Sequence, residues 1–161
     1  MIRMLTAEKG SFTMESIKTS EVEFLEKLYK NVKMGADSIA KLLPRTEEGE
    51  LKKTLEEQMK GFQEFVSSVG KEIIRLGETP KDENAFTKFW AGVGMTMNTL
   101  MDTSDSHIAE IMIQGMTMGV TDTLKVMSEY RKETGNGEIV KMASGIVDFQ
   151  EKCIESLKNY L

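Results

Sequence analysis

The chain has 161 residues, a formal net charge of −5, 29% charged and 40% hydrophobic residues and only two prolines. That length suits one domain with one core, and the acidic balance excludes a protein held to nucleic acid by a basic face or to anionic lipid by a polybasic segment. A lone cysteine, Cys153, excludes an intramolecular disulfide; no apolar run reaches the ~18 residues of a membrane span, and the N-terminus lacks the apolar centre of a signal peptide, so the expected location is the cytoplasm.

The opening stretch, MIRMLTAEKGSFT, has neither clear periodicity nor a helix cap and is followed by Met14. The codons for Lys9-Gly10 can spell a purine-rich ribosome-binding sequence at a workable distance from a start at Met14. Residues 1–18 are therefore expected as a flexible segment, with the natural chain starting at Met14 and a single domain over residues 19–161.

From Ser20 onward the period is helical almost without a break. Ser20 and Glu23 form a capping box, and Leu25, Leu28, Val32, Gly35, Ile39 and Leu43 follow at three- and four-residue steps until Pro44. A second helix is expected from near Thr46, with Leu51, Leu55, Met59, Phe62, Val66, Val69, Ile73 and Leu76 on one stripe, stopping at Gly77 and Pro80. A shorter third segment, near 83–101, carries Phe86, Phe89, Trp90, Val93 and Met97. The run DTSD breaks it and offers Ser104 as a cap for a fourth helix over about 105–132, with Ile108, Met112, Gly115, Gly119, Val126 and Tyr130 inward. TGNG punctuates, Asn136 caps, and a fifth helix carries Ile139, Met142, Ile146, Phe149, Cys153 and Leu157. No segment alternates as a strand does. The expected class is all-α.

Two stretches read as copies of one another. KNVKMGADSIAKLL, starting at Lys30, and QGMTMGVTDTLKVM, starting at Gln114, place Met-Gly and a later Lys at matching positions. The helices that follow also echo, Gly49-Glu50-Leu51 against Gly137-Glu138-Ile139 and Phe62-Gln63-Glu64 against Phe149-Gln150-Glu151. The pattern predicts two helical hairpins joined by a long crossover that holds the short third helix, the ferritin-like form of a four-helix bundle.

Over residues 20–160 the chain resembles the rubrerythrin-related, ferritin-like superfamily, in particular a bacterial branch whose long second helix ends in Leu-Gly-x-x-Pro ahead of an aromatic helix. Here that is Leu76-Gly77-Glu78-Thr79-Pro80, followed by Phe86, Phe89 and Trp90. In di-iron members the resemblance implies a Glu from the first helix of each hairpin and a Glu-x-x-His from the second. This chain departs from that set. It has one histidine, His107, near the start of the fourth helix. The fifth-helix positions hold Gln150 and Cys153, the second-helix positions Gln63 and Val66, and the first-helix positions about Lys33 and Thr117. The resemblance implies the fold and withholds the chemistry, so no metal ligand, catalytic residue or cofactor-binding residue is expected.

Other residues suggest sharper roles. His107 and Glu110 stand at helical i, i+3 spacing beside Asp105, a potential divalent-ion pair; acidic residues in a first turn also simply favour the helix N-terminus. Cys153 falls on an inner stripe, where cysteine behaves as a small inert hydrophobe. Met95, Met97, Met101, Met112, Met116, Met118 and Met127 crowd one third of the chain, and thioethers either fill core gaps or serve a soft metal or apolar ligand. Gly115 and Gly119 strip one face of the fourth helix, as Gly35 does in the first, admitting a close helix or leaving space. Asp37 and Asp122 follow the two Met-Gly pairs and are expected at the stripe's edge.

With one histidine and no glycine-rich phosphate loop, neither a Ser-His-Asp nucleophile nor a nucleotide-phosphate site is supported. Three function classes stand. The first is a metal-free ferritin-like bundle acting as a structural or protein-interaction module, its partner an unknown protein or a second copy packed on leftover apolar positions such as Phe24, Phe65 and Ile154. The second is a small-ligand or soft-metal binder at the Met-rich fourth helix, and the third an atypical metal-dependent oxidoreductase using Glu, Asp and His107.

Overall fold

The computed structural model describes residues 2–81, 85–92, 100–133 and 137–161, with side chains from residue 14. Among the described residues the regular structure is entirely helical: α1 (Ile2–Leu42), α2 (Glu50–Arg75), α3 (Ala85–Gly92), α4 (Asp105–Glu133) and α5 (Gly137–Leu157), with short 3-10 turns at Leu43–Arg45 and Lys158–Tyr160. Val93, Met95, Met97 and Asn136, the side chain of Phe89 and the side chains of the first 13 residues lie outside the described part.

α1 runs from Ile2 straight through Ser20, so Ser20 is an interior helical position rather than a cap. No proline precedes it to stop the helix, and a Ser-x-x-Glu pair caps only where the chain has another reason to begin there. Pro44 ends α1 as its fixed φ and missing N–H require. Thr46, expected near the start of α2, instead closes α1. It is 5% exposed, and its Oγ1 donates to the Leu42 carbonyl at 2.9 Å. α2 begins at Glu50 after an uncapped Gly49, and its 26 residues rise about 39 Å. Its end is a Schellman motif: Gly77 at φ 86° donates to Ile74 O at 2.9 Å, and Glu78 N donates to Ile73 O at 3.2 Å. Ser104 caps α4 as its side chain allows, Oγ accepting from His107 N at 3.4 Å.

α1 packs on α2, α4 on α5, α1 on α4 and α2 on α5, while α3 rests on α1. Named contacts set the directions. Phe24 stacks on Tyr130 with ring centres 4.6 Å apart, while Asn31 bonds to Gly119, so α1 and α4 are antiparallel. Thr54 Oγ1 meets Tyr160 Oη at 2.9 Å and Phe65 meets Phe149 at 5.4 Å, so α2 and α5 are antiparallel too. Leu25, Leu28, Val32, Ile39, Leu51, Leu55, Phe62, Val69, Ile73, Ile108, Ile146 and Leu157 are at most 1% exposed and form the centre of the core.

Two glycines let bulky rings into the waist. A Cβ on Gly35 would lie 2.7 Å from Phe62 Cδ1 and Cζ and closer to Cε1; one on Gly61 would collide with Phe149. Phe62 and Phe149, the first residues of the two matching Phe-Gln-Glu triplets, meet edge to face with centres 5.0 Å apart.

Candidate functional site

The space left at this waist is a cleft of about 430 Å3 between α1 and α4. That volume falls within the ~300–1,000 Å3 typical of small-molecule sites. Leu28, Met34 and Gly35 of α1 form one wall, Ile111, Met112, Gly115, Met116 and Gly119 of α4 the other. Phe62 of α2 and Gln150 of α5 lie at the floor, and Trp90, carried in by α3, closes part of the side. The mouth carries Lys27, Lys125, Asp122 and Glu129, all exposed. The glycines expected to thin the waist do so unequally: Gly35 admits Phe62, whereas Gly115 and Gly119 lie along the cleft.

A directed amide chain crosses the floor. Asn31 Nδ2 donates to Gly119 O at 3.0 Å and to Thr123 Oγ1 at 2.6 Å, and Gln150 Nε2 donates to Asn31 Oδ1 at 3.0 Å. Gln150 is 2% exposed and its Oε1 has no hydrogen-bond partner among the described residues. Gly119 is needed here, because a Cβ would stand 2.6 Å from Asn31 Oδ1 and 3.0 Å from Gln150 Nε2. One turn along, Gln58 Nε2 donates to Cys153 O at 3.3 Å from a side chain that is 6% exposed.

Gln150 and Cys153, at the two fifth-helix positions to which the resemblance would assign ligands, are both buried. The α2 assignments slip: Gln63 is exposed and Val66 half-buried, and the residues facing inward there are Phe62 and Gln58. The first-helix assignments slip likewise. Lys33 is half-buried and tied to Asp37 at 2.7 Å, Thr117 is exposed, and Asn31 and Gly119 take the inner places. The repeat was aligned on Met-Gly, whereas the inward face is set by helix rotation, and one residue of slip turns a side chain by about 100°. The buried polar groups at the waist are therefore neutral amides and the hydroxyls of Ser38 and Thr123. Among the described residues no three of His, Cys, Asp and Glu come together as a cation would need.

The remaining candidates lie apart. His107 Nδ1 is 3.5 Å from Glu110 Oε2, in the first turn of α4, with Asp105 exposed, and none of the three lines the cleft. Burial pushes the Cys153 thiol up to about 12, which leaves it protonated and unreactive at neutral pH. Met112 and Met116, one turn apart and 3% exposed, line the cleft with Met34, and Met118 stands at its edge. Met127 is buried in the core and Met101 is 95% exposed, so the described methionines of the cluster divide among the cleft, the core and the exposed surface. Asp37 and Asp122 are at the edge of the packed faces as expected.

The residues that sequence reasoning passed over are Asn31, Thr123 and Gln58, and Gln150 entered it only as the occupant of a lost ligand's place. The three- and four-residue steps Leu28–Asn31–Gly35, Gly119–Thr123–Met127 and Ile146–Gln150–Cys153 run through them, so a polar residue on an apolar stripe was the available signal. No family model, curated protein or solved structure matches the chain.

Proposed function

We propose that the chain is a binding protein for a small, largely apolar molecule, held in the cleft between α1 and α4 of a metal-free, ferritin-like four-helix bundle. The packing order α2, α1, α4, α5, with antiparallel neighbours and α3 in the crossover, supports that arrangement. The observation that carries the function is the cleft itself, walled by thioether, aliphatic and aromatic side chains over a few fixed polar groups. Flexible methionines suit such a wall because they adapt to a ligand's outline with little strain.

The structural-module reading loses its main support. Phe24 is 2% exposed against Tyr130, Phe65 is half-buried against Phe149, and Ile154 is half-buried against the core, so the faces proposed for a second copy are largely used internally. The oxidoreductase reading would need His107 to gather partners beyond Glu110. No described helix is long and apolar enough to cross a membrane.

Trp90 is the chain's single tryptophan and lines the cleft, so its fluorescence reports occupancy. Titration with bromooctane, whose heavy atom quenches indole on contact, should give saturable quenching. Gly115→Leu, which fills the cleft, should remove the saturable part. Linear quenching identical in both proteins would refute the proposal.

A further inference from the structure

Resting on that reading, we infer that the cleft selects a ligand whose buried end carries a neutral hydrogen-bond donor, a hydroxyl or N–H, to meet the carbonyl oxygen of Gln150. The orientation of the amide chain follows from its far end. A backbone carbonyl only accepts, so Gly119 O fixes the Asn31 amide with Nδ2 toward it. Thr123 Oγ1 takes the second hydrogen of that Nδ2. Asn31 Oδ1 must then face Gln150, which must present Nε2, and Oε1 is left over. Reversing either amide would set two acceptors against each other. The unused group is thus an acceptor by necessity, on a residue that lines the cleft.

A buried carbonyl without a partner is unfavourable, and a matching donor relieves it. Neither an ether nor an ionised carboxylate supplies one. A cationic head would be taken out of water without a carboxylate among the floor groups Asn31, Thr123 and Gln150, so a neutral donor is the matching chemistry. The lysines and acids of the mouth lie at the exposed end and leave this selection to the floor.

The test compares two isomers, n-octanol and heptyl methyl ether, which share formula and length but differ in owning a donor. Each displaces bromooctane from the full-length protein, with Trp90 recovery as readout and calorimetry as a second measure. One hydrogen bond to a buried acceptor predicts that octanol binds about five- to tenfold more tightly than the ether. In Gln150→Met, similar in volume but without the amide, the two should bind within about twofold. Equal affinities in the wild-type protein would overturn the inference and leave the binding reading standing. A preference that persists in Gln150→Met would also overturn it, by placing the discrimination elsewhere. Failure of bromooctane itself to bind saturably would remove both. Should Gln150→Met not fold, the wild-type comparison still decides.

Discussion

Gly35→Ala and Gly145→Ala make the same chemical change in two helices, and the structure gives them opposite signs. Alanine is favoured over glycine in a helix interior by about 0.8–1 kcal/mol. At Gly145 the new methyl would lie 3.9 Å from Phe65 Cε1, ordinary contact, so the helical preference is gained whole. At Gly35 it would come within 2.7 Å of two Phe62 ring atoms and nearer to a third. Phe62 is 0% exposed and has Phe149 edge-on against it, so the ring can give way only toward the cleft or by pushing Phe149 aside. Overpacking of that kind costs about 1–3 kcal/mol, which offsets the helical gain and leaves a net loss of up to about 2 kcal/mol. Because both variants gain the same helical preference, urea unfolding followed by far-UV circular dichroism should separate them by the overpacking cost, about 1–3 kcal/mol, at unchanged m-value. Gly35→Ala found as stable as Gly145→Ala would refute the close seat of Phe62 on α1. Gly35→Ala combined with Phe62→Leu should recover part of the loss, because the two positions share one contact.

Cys153 should resist a thiol reagent at pH 8 in the native protein and react on unfolding; rapid native labelling would contradict its burial. Its folded pKa is raised above the ordinary 9.0 to about 12, so the unfolded chain loses the proton first. The stability this thiol contributes is therefore present below pH 9 and lost as pH rises toward 12, and Cys153→Ala should flatten that alkaline decline in a pH series of urea midpoints. Gly77→Ala should lose about 1 kcal/mol through its positive φ alone, since no atom lies within 4 Å of the added methyl; an unchanged thermal midpoint would argue against the left-handed turn.

The all-helical class was legible because three- and four-residue apolar steps run through every long segment and nothing alternates. Pro44, Gly77 and Ser104 marked helix ends correctly because their effects are local: a locked φ, freedom at positive φ, and an oxygen in reach of a nearby N–H. Thr46 misled because its hydroxyl has two backbone groups within reach, and burial beside Leu42 chose the one behind it. Phe24 read as a spare apolar position because a sequence does not say what stands opposite, and Tyr130 lies more than a hundred residues away. The candidate site was half legible. Gly115 and the methionines pointed to spare room on α4, whereas Asn31 and Thr123 passed as ordinary polar residues and Gln150 stood only in a lost ligand's place.

By itself, then, the sequence determined the helices, most of their ends and the lack of a histidine-rich metal set, since these depend on composition and on contacts within one turn. Only the tertiary structure decided where the volume at the waist went and which way the buried amides point. Whether a missing side chain becomes a tight seat, as at Gly35 and Gly119, or leaves ordinary contact, as at Gly145, depends on what the neighbouring helix brings to that height. The same holds for Gln150, whose unused oxygen is fixed by a backbone carbonyl on another helix.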